Sequence, residues 1–242
     1  MSKPTKKKAA LSESRPPRAR SGPKPALSTD AIVRAAIEIA DAQGLEGVTM
    51  QRLGDVFGFT AMSMYRYVRD KDELVAAMID AALGPAPKLD GELAWRLRLE
   101  HWAGQVLRRF VLHPWTLAAT GHLRTMGPNE LAWLDRALSA LAMAGLEPVD
   151  QHAAFLVLIG HVRSVAQFSV RAPSAPRGVT LADWREHARA NSEGLAALGA
   201  AFRAGGFRQR ANASALDEGL RIVLDGIEVA SARRTSRAHS AQ

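Results

Sequence analysis

Residues 49–68 read TMQRLGDVFGFTAMSMYRYV, and this stretch determines how the rest of the chain is interpreted. Thr49 is placed to cap a helix of about two turns that ends near Gly58. Thr60 is placed to cap a second short helix after a tight Gly58-Phe59 turn. Two short helices joined in this way have the proportions of a DNA-reading helix-turn-helix, although a plain helical hairpin inside a bundle has the same spacing.

The second short helix has an apolar inner side and a polar, aromatic and basic outer side. Helical spacing points Met64 and Val68 inward. Ala61 is small enough to allow close approach to base edges, and Arg66 can donate hydrogen bonds to guanine. The side chains predicted to project outward are Met62, Ser63, Arg66 and Tyr67.

Helical periodicity continues on both sides of this pair. Residues 27–44, LSTDAIVRAAIEIADAQG, predict a helix that ends at Gly44. Asp70 and Glu73 predict an Asp-x-x-Glu capping box at the start of a fourth helix. The predicted DNA-binding domain therefore spans residues 28–84.

The remainder of the chain is also predicted to be helical, since no stretch shows the sustained alternation of a half-buried strand. One continuous helix is expected from Trp184 to Phe202. The fold class is therefore all-α, with an N-terminal three-helix helix-turn-helix domain followed by a larger helical domain over 90–232. A disordered tail is expected over 233–242.

Composition limits the classes of function. The chain has 242 residues, 47% of them hydrophobic, and no cysteine, which excludes disulfides, thiolate metal sites and cysteine nucleophiles. Its longest nearly uninterrupted apolar run, HAAFLVLIGHV, is far shorter than the roughly 20 residues that span a membrane. We therefore expect a cytoplasmic protein with no membrane partner.

Positive charge is concentrated at the N-terminus. The formal net charge is +8, and residues 1–27 contain eight lysines and arginines against one glutamate, a net charge of +7. The Pro, Ser and Lys content predicts a disordered basic arm. Such an arm could follow the DNA phosphates or enter a minor groove, or it could be a solvated tail with no specific role.

Residues 44–78, GLEGVTMQRLGDVFGFTAMSMYRYVRDKDELVAAM, and the preceding AIVRAAIEIADAQ resemble the DNA-binding domain of the TetR (tetracycline-repressor-like) family. The resemblance covers residues 28–83. Its matching positions are Gly47-Val48-Thr49, Leu53, Gly58, Tyr65-x-Tyr67 and Lys71-x-x-Leu74. The chain departs from the family at Gly54, usually alanine, which should cost about 1 kcal/mol of helix propensity unless close packing needs glycine. Met64 and Val68 replace the usual leucine and phenylalanine but keep apolar character.

The resemblance implies a homodimeric transcriptional repressor that binds a palindromic site in double-stranded DNA. It implies a four-helix dimer interface formed by residues 148–170 and 213–231. The side chains that it implies as DNA contacts lie on the two short helices and beside them. They are Thr49, Gln51, Arg52, Thr60, Ala61, Met62, Ser63, Tyr65, Arg66, Tyr67 and Lys71.

The second domain resembles the family's ligand-binding half only loosely, in helix number, helix length and a His113-Pro114-Trp115 break. A small-molecule effector of unknown identity is expected to bind among its aromatic side chains. The alternative, and for each single residue the more common case, is that these side chains fill an ordinary core. The candidate pocket residues are Trp102, Phe110, Trp115, His122, Met126, Trp133, Phe155, Arg163 and Phe168.

No pattern of catalytic residues is recognisable. The seven histidines are scattered, without an i, i+4 pair or a nucleophile-base motif. We therefore expect neither an enzyme nor a metal or other cofactor. A ligand-independent architectural DNA-binding protein is the alternative, and a helical enzyme has less support.

Overall fold

The computed structural model describes residues 27–88, 93–121, 124–169, 181–205 and 212–240, and every regular element in these ranges is helical. The all-helical fold class is thus confirmed. A 3₁₀ turn, Leu45–Gly47, follows the first helix. The α-helices are α1 (Thr29–Gln43), α2 (Met50–Phe57), α3 (Ala61–Met64), α4 (Lys71–Leu83), α5 (Trp95–Leu112), α6 (Trp115–Ala119), α7 (Pro128–Met143), α8 (Pro148–Ser169), α9 (Leu181–Ala190), α10 (Ala196–Arg203) and α11 (Asn212–Ser240).

Helices α1 to α4 enclose one apolar core. Ile32 of α1, Leu53 of α2, Met64 of α3 and Met78 of α4 are completely buried in it. Val68, in the turn after α3, is buried beside them. The inward orientation predicted for Met64 and Val68 is confirmed, so the opposite side of α3 is left for solvent or a ligand.

A second core lies between α5, α7, α8 and α11. Leu99, Leu141, Leu158, Leu220 and Leu224 are almost fully buried there, with at least one residue from each helix. Apolar residues recur at three and four positions along these helices, so each buries one face. Burial of this shared face positions the helices around the cavity described below.

Side-chain caps fix where the first helices begin. Ser28 and Thr49 each accept a hydrogen bond from a first-turn amide, of α1 and α2 respectively, at 3.2 Å. Asp70 caps α4 by accepting from the Glu73 amide at 2.7 Å. In the predicted capping box, the Glu73 side chain would accept a hydrogen bond from the amide of Asp70. In the structure it accepts from the amide of Arg69 at 2.6 Å instead. The long Glu73 side chain reaches one residue further back.

The continuous helix predicted from Trp184 to Phe202 is wrong. The structure has two helices there, α9 and α10, separated by residues 191–195. Asn191 donates its side-chain amide to the carbonyl oxygen of His187 at 2.8 Å, which satisfies an acceptor at the end of α9. Gly194 then takes a φ of 80°, a conformation open to glycine, and the chain turns before α10 begins.

The last helix is longer than predicted. Helix α11 continues to Ser240, through most of the segment 233–242 that the sequence predicts as a disordered tail. No glycine or proline follows Gly226 to interrupt it, and alanine and arginine favour helix. The predicted basic arm, apart from Leu27, lies outside the described residues.

The two cores are joined through α6. Trp115 starts this helix yet is buried in the first core, and its indole nitrogen donates to the Asp41 carboxylate of α1 at 2.8 Å. The same carboxylate lies 2.9 Å from Nδ1 of His113, at the end of α5. One acidic side chain therefore holds the corner between α5 and α6 against the N-terminal helices.

A second joint connects α4 with α7. Asp80 of α4 accepts from the backbone amide of Glu130 at 3.0 Å and from the side-chain amide of Asn129 at 3.1 Å. Both donors lie in the first turn of α7, where amides lack partners within the helix. Trp133 adds a bond from its indole nitrogen to the carbonyl oxygen of Gly84 at 2.9 Å. Asp80 thus caps a helix of the other half of the molecule.

We predict that Asp80→Ala lowers the free energy of unfolding by about 1–3 kcal/mol, because the amide of Glu130 loses its acceptor and the side chain of Asn129 keeps only the backbone carbonyl oxygen of residue 80. The matched control is Asp135→Ala, at an exposed position on α7, with an expected effect within about 0.5 kcal/mol. Urea unfolding followed by circular dichroism measures both. Equal midpoints for the two variants would contradict a capping role for Asp80.

Candidate nucleic-acid interface and ligand cavity

The turn between α2 and α3 is built on two glycines. Gly58 ends α2 in the left-handed conformation, with φ 74° and ψ 33°. The amide of Phe59 then donates back to the carbonyl oxygen of Gly54 at 2.8 Å. This pattern of bonds closes the helix end and reverses the chain within two residues. The start of α3 is thereby held directly against the side of α2.

Gly54 is required by that close approach. A Cβ atom built on it would lie 2.6 Å from the carbonyl oxygen of Phe59 and 3.1 Å from the carbonyl carbon of Thr60. Both are backbone atoms, so they cannot move aside as the end of a long side chain could. The resemblance predicts alanine at this position, which is the better helix former. Glycine is needed here instead, because only a residue without a Cβ allows α3 to approach α2 so closely.

Helix α3 turns a mixed surface outward. Met62 is 76% exposed, and Tyr65, Arg66 and Tyr67 are exposed as well. Thr60 holds the N-cap position by its backbone conformation, but its hydroxyl lies 3.1 Å from the hydroxyl of Ser63 and makes no capping bond to a helix amide. The amide of Ser63 donates instead to the backbone carbonyl oxygen of Thr60 at 3.0 Å.

All eleven predicted DNA contacts lie on or beside these two helices. Thr49 caps α2, Gln51 and Arg52 lie in its first turn, and Lys71 is the first residue of α4. Gln51 donates to Asp55 at 2.9 Å, and Arg52 donates to the side-chain oxygen of Gln43. The other seven lie at Thr60, Ala61, Met62 and Ser63 on α3 and at Tyr65, Arg66 and Tyr67 in the turn after it.

A cavity of about 460 Å³ lies between the two cores and is open at one side. Ligand sites in proteins commonly have volumes of roughly 300–1,000 Å³. Its lining is largely apolar. The lining residues are Ile79, Ala82 and Leu83 of α4; Trp102, Val106, Arg109 and Phe110 of α5; His113; Thr116 of α6 and the following Thr120; Arg124 and Met126; Glu130, Trp133 and Leu134 of α7; and Phe155, Leu156, Ile159 and Arg163 of α8.

Six of the nine predicted pocket residues line this cavity: Trp102, Phe110, Met126, Trp133, Phe155 and Arg163. Trp115 does not, because Asp41 draws its indole into the N-terminal core. Phe168 does not either, since it projects from the last turn of α8 and is 75% exposed. His122 lies outside the described residues.

Sequence reasoning missed most of the polar lining. Arg124 and Glu130 form an ion pair in which both side chains are largely buried, and Thr120 receives a hydrogen bond from Arg163. Arg109 and Thr116 complete the polar lining together with His113. The sequence feature that could have identified these residues is an arginine or threonine on the otherwise apolar face of a helix. That signal is weak because such residues also occur at helix edges.

The guanidinium of Arg163 lies deep in the cavity wall. It donates to the carbonyl oxygen of Leu117 at 2.6 Å and to the hydroxyl of Thr120. Its central carbon lies 5.6 Å from the centre of the Phe110 ring, within range of a cation-π interaction. Burial, and secondly the positive charge of Arg124, lower the pKa of Arg163 from its usual value.

Three of the described histidines make contacts in separate parts of the structure. His113 lies beside Asp41, His161 is 3.0 Å from the carbonyl oxygen of Leu216, and His101 is 3.1 Å from the side-chain nitrogen of Gln105. Within the described ranges, no three histidine, aspartate or glutamate side chains gather as metal ligands would. No described helix has the length and apolar content needed to cross a membrane.

Comparison with known proteins gives consistent matches. A family model described as "Bacterial regulatory proteins, tetR family" matches residues 32–78. The HTH-type transcriptional repressor DrrR1 of Streptomyces coeruleorubidus is 32% identical over 231 residues, which cover 88% of this chain and 82% of that protein. An HTH-type transcriptional regulator of Saccharopolyspora erythraea is 30% identical over 230 residues, with coverage of 92% and 96%.

Solved structures show the same fold. The crystal structure of the Streptomyces coelicolor TetR family protein ActR in complex with actinorhodin aligns with a TM-score of 0.72. The alignment covers 85% of this chain and 98% of ActR, at 23% sequence identity. At that identity the likeness concerns the fold, from the N-terminal helices through the larger helical half.

We predict that Gly54→Ala destabilises the protein although alanine is the better helix former, because the added Cβ collides with backbone atoms of the turn. We expect a loss of about 1–3 kcal/mol. The matched control is Gly104→Ala in α5, where a Cβ meets no atom within 4 Å and up to about 1 kcal/mol of stabilisation should follow. Thermal unfolding measures both changes. A higher Tm for both variants would contradict the close approach of α2 and α3.

Proposed function

The chain belongs to the TetR family of bacterial regulatory proteins, and from this premise we propose that it is a ligand-responsive repressor released from a palindromic operator by a small molecule. Its relatives are named transcriptional regulators and repressors. The observation that carries the ligand response is the position of the cavity, which has residues of α4 in its wall. An occupant would touch a helix of the DNA-binding half directly.

DNA reading is assigned to the exposed side of α3. Arg66 donates to a guanine in the major groove, and the Met62 side chain offers apolar contact to a thymine methyl group. Tyr65, Tyr67 and Lys71 hold the phosphates on either side, helped by the amides at the start of α3. The other assigned contacts are Thr49, Gln51, Arg52, Thr60, Ala61 and Ser63. The basic arm adds affinity that depends on salt and carries little sequence information.

Dimerisation is assigned to α8 and α11. These two helices pack together through buried residues such as Leu158 and Leu224, yet keep apolar side chains on their outer surfaces. The exposed apolar side chains are Val149, Leu156, Val157 and Phe168 on α8, and Ile222 and Val229 on α11. Pairing of two such surfaces as a four-helix interface would remove them from water. The two α3 helices would then reach successive major grooves roughly 34–36 Å apart.

Coupling between ligand and DNA is assigned to the two joints. Ile79 and Ala82 contribute both to the N-terminal core and to the cavity wall, and Asp80 between them caps α7. His113 lines the cavity and contacts Asp41 of α1. A ligand that prefers one arrangement of these contacts changes the spacing of the two reading helices. Couplings of this kind are typically about 1–3 kcal/mol, a fivefold to 150-fold change in affinity.

A small apolar or aromatic compound suits the cavity. Tryptophan and phenylalanine side chains form much of its wall. The complex of ActR with actinorhodin supports ligand binding by a protein of this fold. We assign the protein no catalytic reaction and no cofactor, and we place it in the cytoplasm, where its DNA would be found. If compounds that bind the cavity all leave operator affinity unchanged, the ligand-controlled switch is refuted.

Fluorescence anisotropy on DNA from immediately upstream of the gene, compared with scrambled DNA, tests DNA recognition. We predict that Arg66→Ala weakens binding to the specific site by about 1–3 kcal/mol and has a smaller effect on scrambled DNA, because a base contact is lost. The control is Arg108→Ala, an exposed arginine of α5, with no expected effect. Equal losses on both DNAs would contradict the base contact, and equal wild-type affinity for both would favour an architectural protein.

We predict that Val157→Glu converts the dimer to a monomer, because it places a charge in the proposed apolar interface. Val157 is 58% exposed in the single chain. The matched control is Leu97→Glu on α5, which is similarly exposed at 50% but lies outside α8 and α11. Sedimentation velocity measures the mass of each variant. The proposed interface is refuted if the wild-type protein is a monomer. It is also refuted if Val157→Glu forms dimers to the same extent as Leu97→Glu.

A further inference from the structure

The cavity combines an apolar wall with a strongly basic polar end. Three arginines and one glutamate line it, a net charge of +2 with His113 neutral. The other polar lining groups are the hydroxyls of Thr116 and Thr120. Water screens these charges less in a largely apolar cavity than at the open surface of the protein. The excess of positive charge therefore bears on which ligands can enter.

The one acidic side chain is already occupied. Glu130 accepts from both terminal nitrogens of Arg124, one of them at 2.8 Å, so the two groups form a bidentate ion pair. Arg124 also donates to the carbonyl oxygen of Thr125 at 3.2 Å. Its Nε atom is buried and has no hydrogen-bond partner among the described residues. Arg124 is therefore engaged with Glu130 and Thr125, and its Nε is covered by protein atoms, which leaves Arg163 as an arginine of the lining without an acidic partner among the described residues.

Arg163 carries a charge that no described residue neutralises. Its two described acceptors, the Thr120 hydroxyl and the Leu117 carbonyl oxygen, are both neutral. The nearby charge of Arg124 has the same sign, and together with burial it lowers the pKa of Arg163. An anion bound beside Arg163 would oppose this lowering of the pKa, since it supplies the opposite charge.

The rest of the cavity is suited to a flat hydrophobic body. Trp102 and Phe155 meet edge to face with ring centres 6.0 Å apart, and both line the cavity together with Trp133. The indole nitrogens of Trp102 and Trp133 are already bonded to backbone carbonyl oxygens. The two tryptophans therefore present hydrocarbon surface to a ligand and leave recognition of polar groups to the arginines.

We propose that the effector is an aromatic acid: an apolar ring system seated among the tryptophans, with a carboxylate or another acidic group bound by Arg163. This inference rests on the proposed function and specifies the ligand of the same cavity. A cationic ligand would meet the positive charge of the arginines. A neutral ligand would leave the charge of Arg163 without a counter-ion in a space from which water has been displaced.

Two fluorescent probes that differ by one charged group test the proposal on the full-length protein. 8-Anilinonaphthalene-1-sulfonate is an aromatic anion, and N-phenyl-1-naphthylamine is the same ring system without the sulfonate. Fluorescence titration measures the dissociation constant of each probe. We expect the wild-type protein to bind the sulfonate more tightly than the neutral amine, because only the sulfonate forms charge-assisted bonds.

Substitutions with opposite expected effects separate charge recognition from general damage. We predict that Arg163→Gln weakens sulfonate binding by about tenfold to a hundredfold, while binding of the neutral amine changes by less than about twofold. Glu130→Gln removes the acidic lining group and should tighten sulfonate binding. Arg108→Gln, at the exposed surface of α5, is the control for nonspecific attraction to a basic protein and should change neither probe.

Each outcome of these titrations either supports or overturns the proposal of an acidic ligand. If the neutral amine binds as tightly as the sulfonate, or if Arg163→Gln weakens both probes alike, the acidic ligand is refuted while ligand-controlled regulation is unaffected. If neither probe binds, the proposal fails together with the sensing role of the cavity. If circular dichroism shows that Arg163→Gln does not fold, the Glu130→Gln variant tests the proposal alone. Sulfonate binding to Glu130→Gln that is unchanged or weaker than to the wild type would then overturn the proposal.

Discussion

The burial of α4 between two apolar cores is the constraint on which the other elements depend. Met78 lies in the N-terminal core, whereas Leu83 packs against the core of the larger half. Between them, Ile79 and Ala82 contribute to the cavity wall, and Asp80 caps the first turn of α7. Packed cores do not deform continuously, so under the proposed function a ligand in the cavity would shift α4 as a whole.

The surface that we propose reads DNA depends on a different contact, between backbone atoms. Gly54 lets the start of α3 lie directly against α2, and Gly58 reverses the chain so that α3 leaves at a fixed angle. Met64 anchors the inner side of α3 in the core, so that Met62 and Arg66 face outward. A helix of four residues has little stability of its own. Its orientation comes from these contacts rather than from helix propensity.

The cavity combines two kinds of lining, apolar side chains and a few polar ones. Its apolar wall belongs to the same helices that form the core of the larger half, so the space is maintained by ordinary packing. Its polar lining includes Arg124, Glu130 and Arg163, and under the proposed function these side chains would select the ligand. Ring systems are held by area and shape, whereas charge is recognised by individual hydrogen bonds.

The sequence by itself determined the local structure near the N-terminus. Periodicity and the capping residues Ser28 and Thr49 predicted the short helices, because these signals act within one or two turns. Sequence patterns did not separate the outward Phe168 from inward aromatic residues, nor show that Trp115 belongs to the N-terminal core. They also left open that Arg124 and Arg163 face one cavity. Tertiary structure decided these points, since they depend on contacts between helices that are distant in the chain.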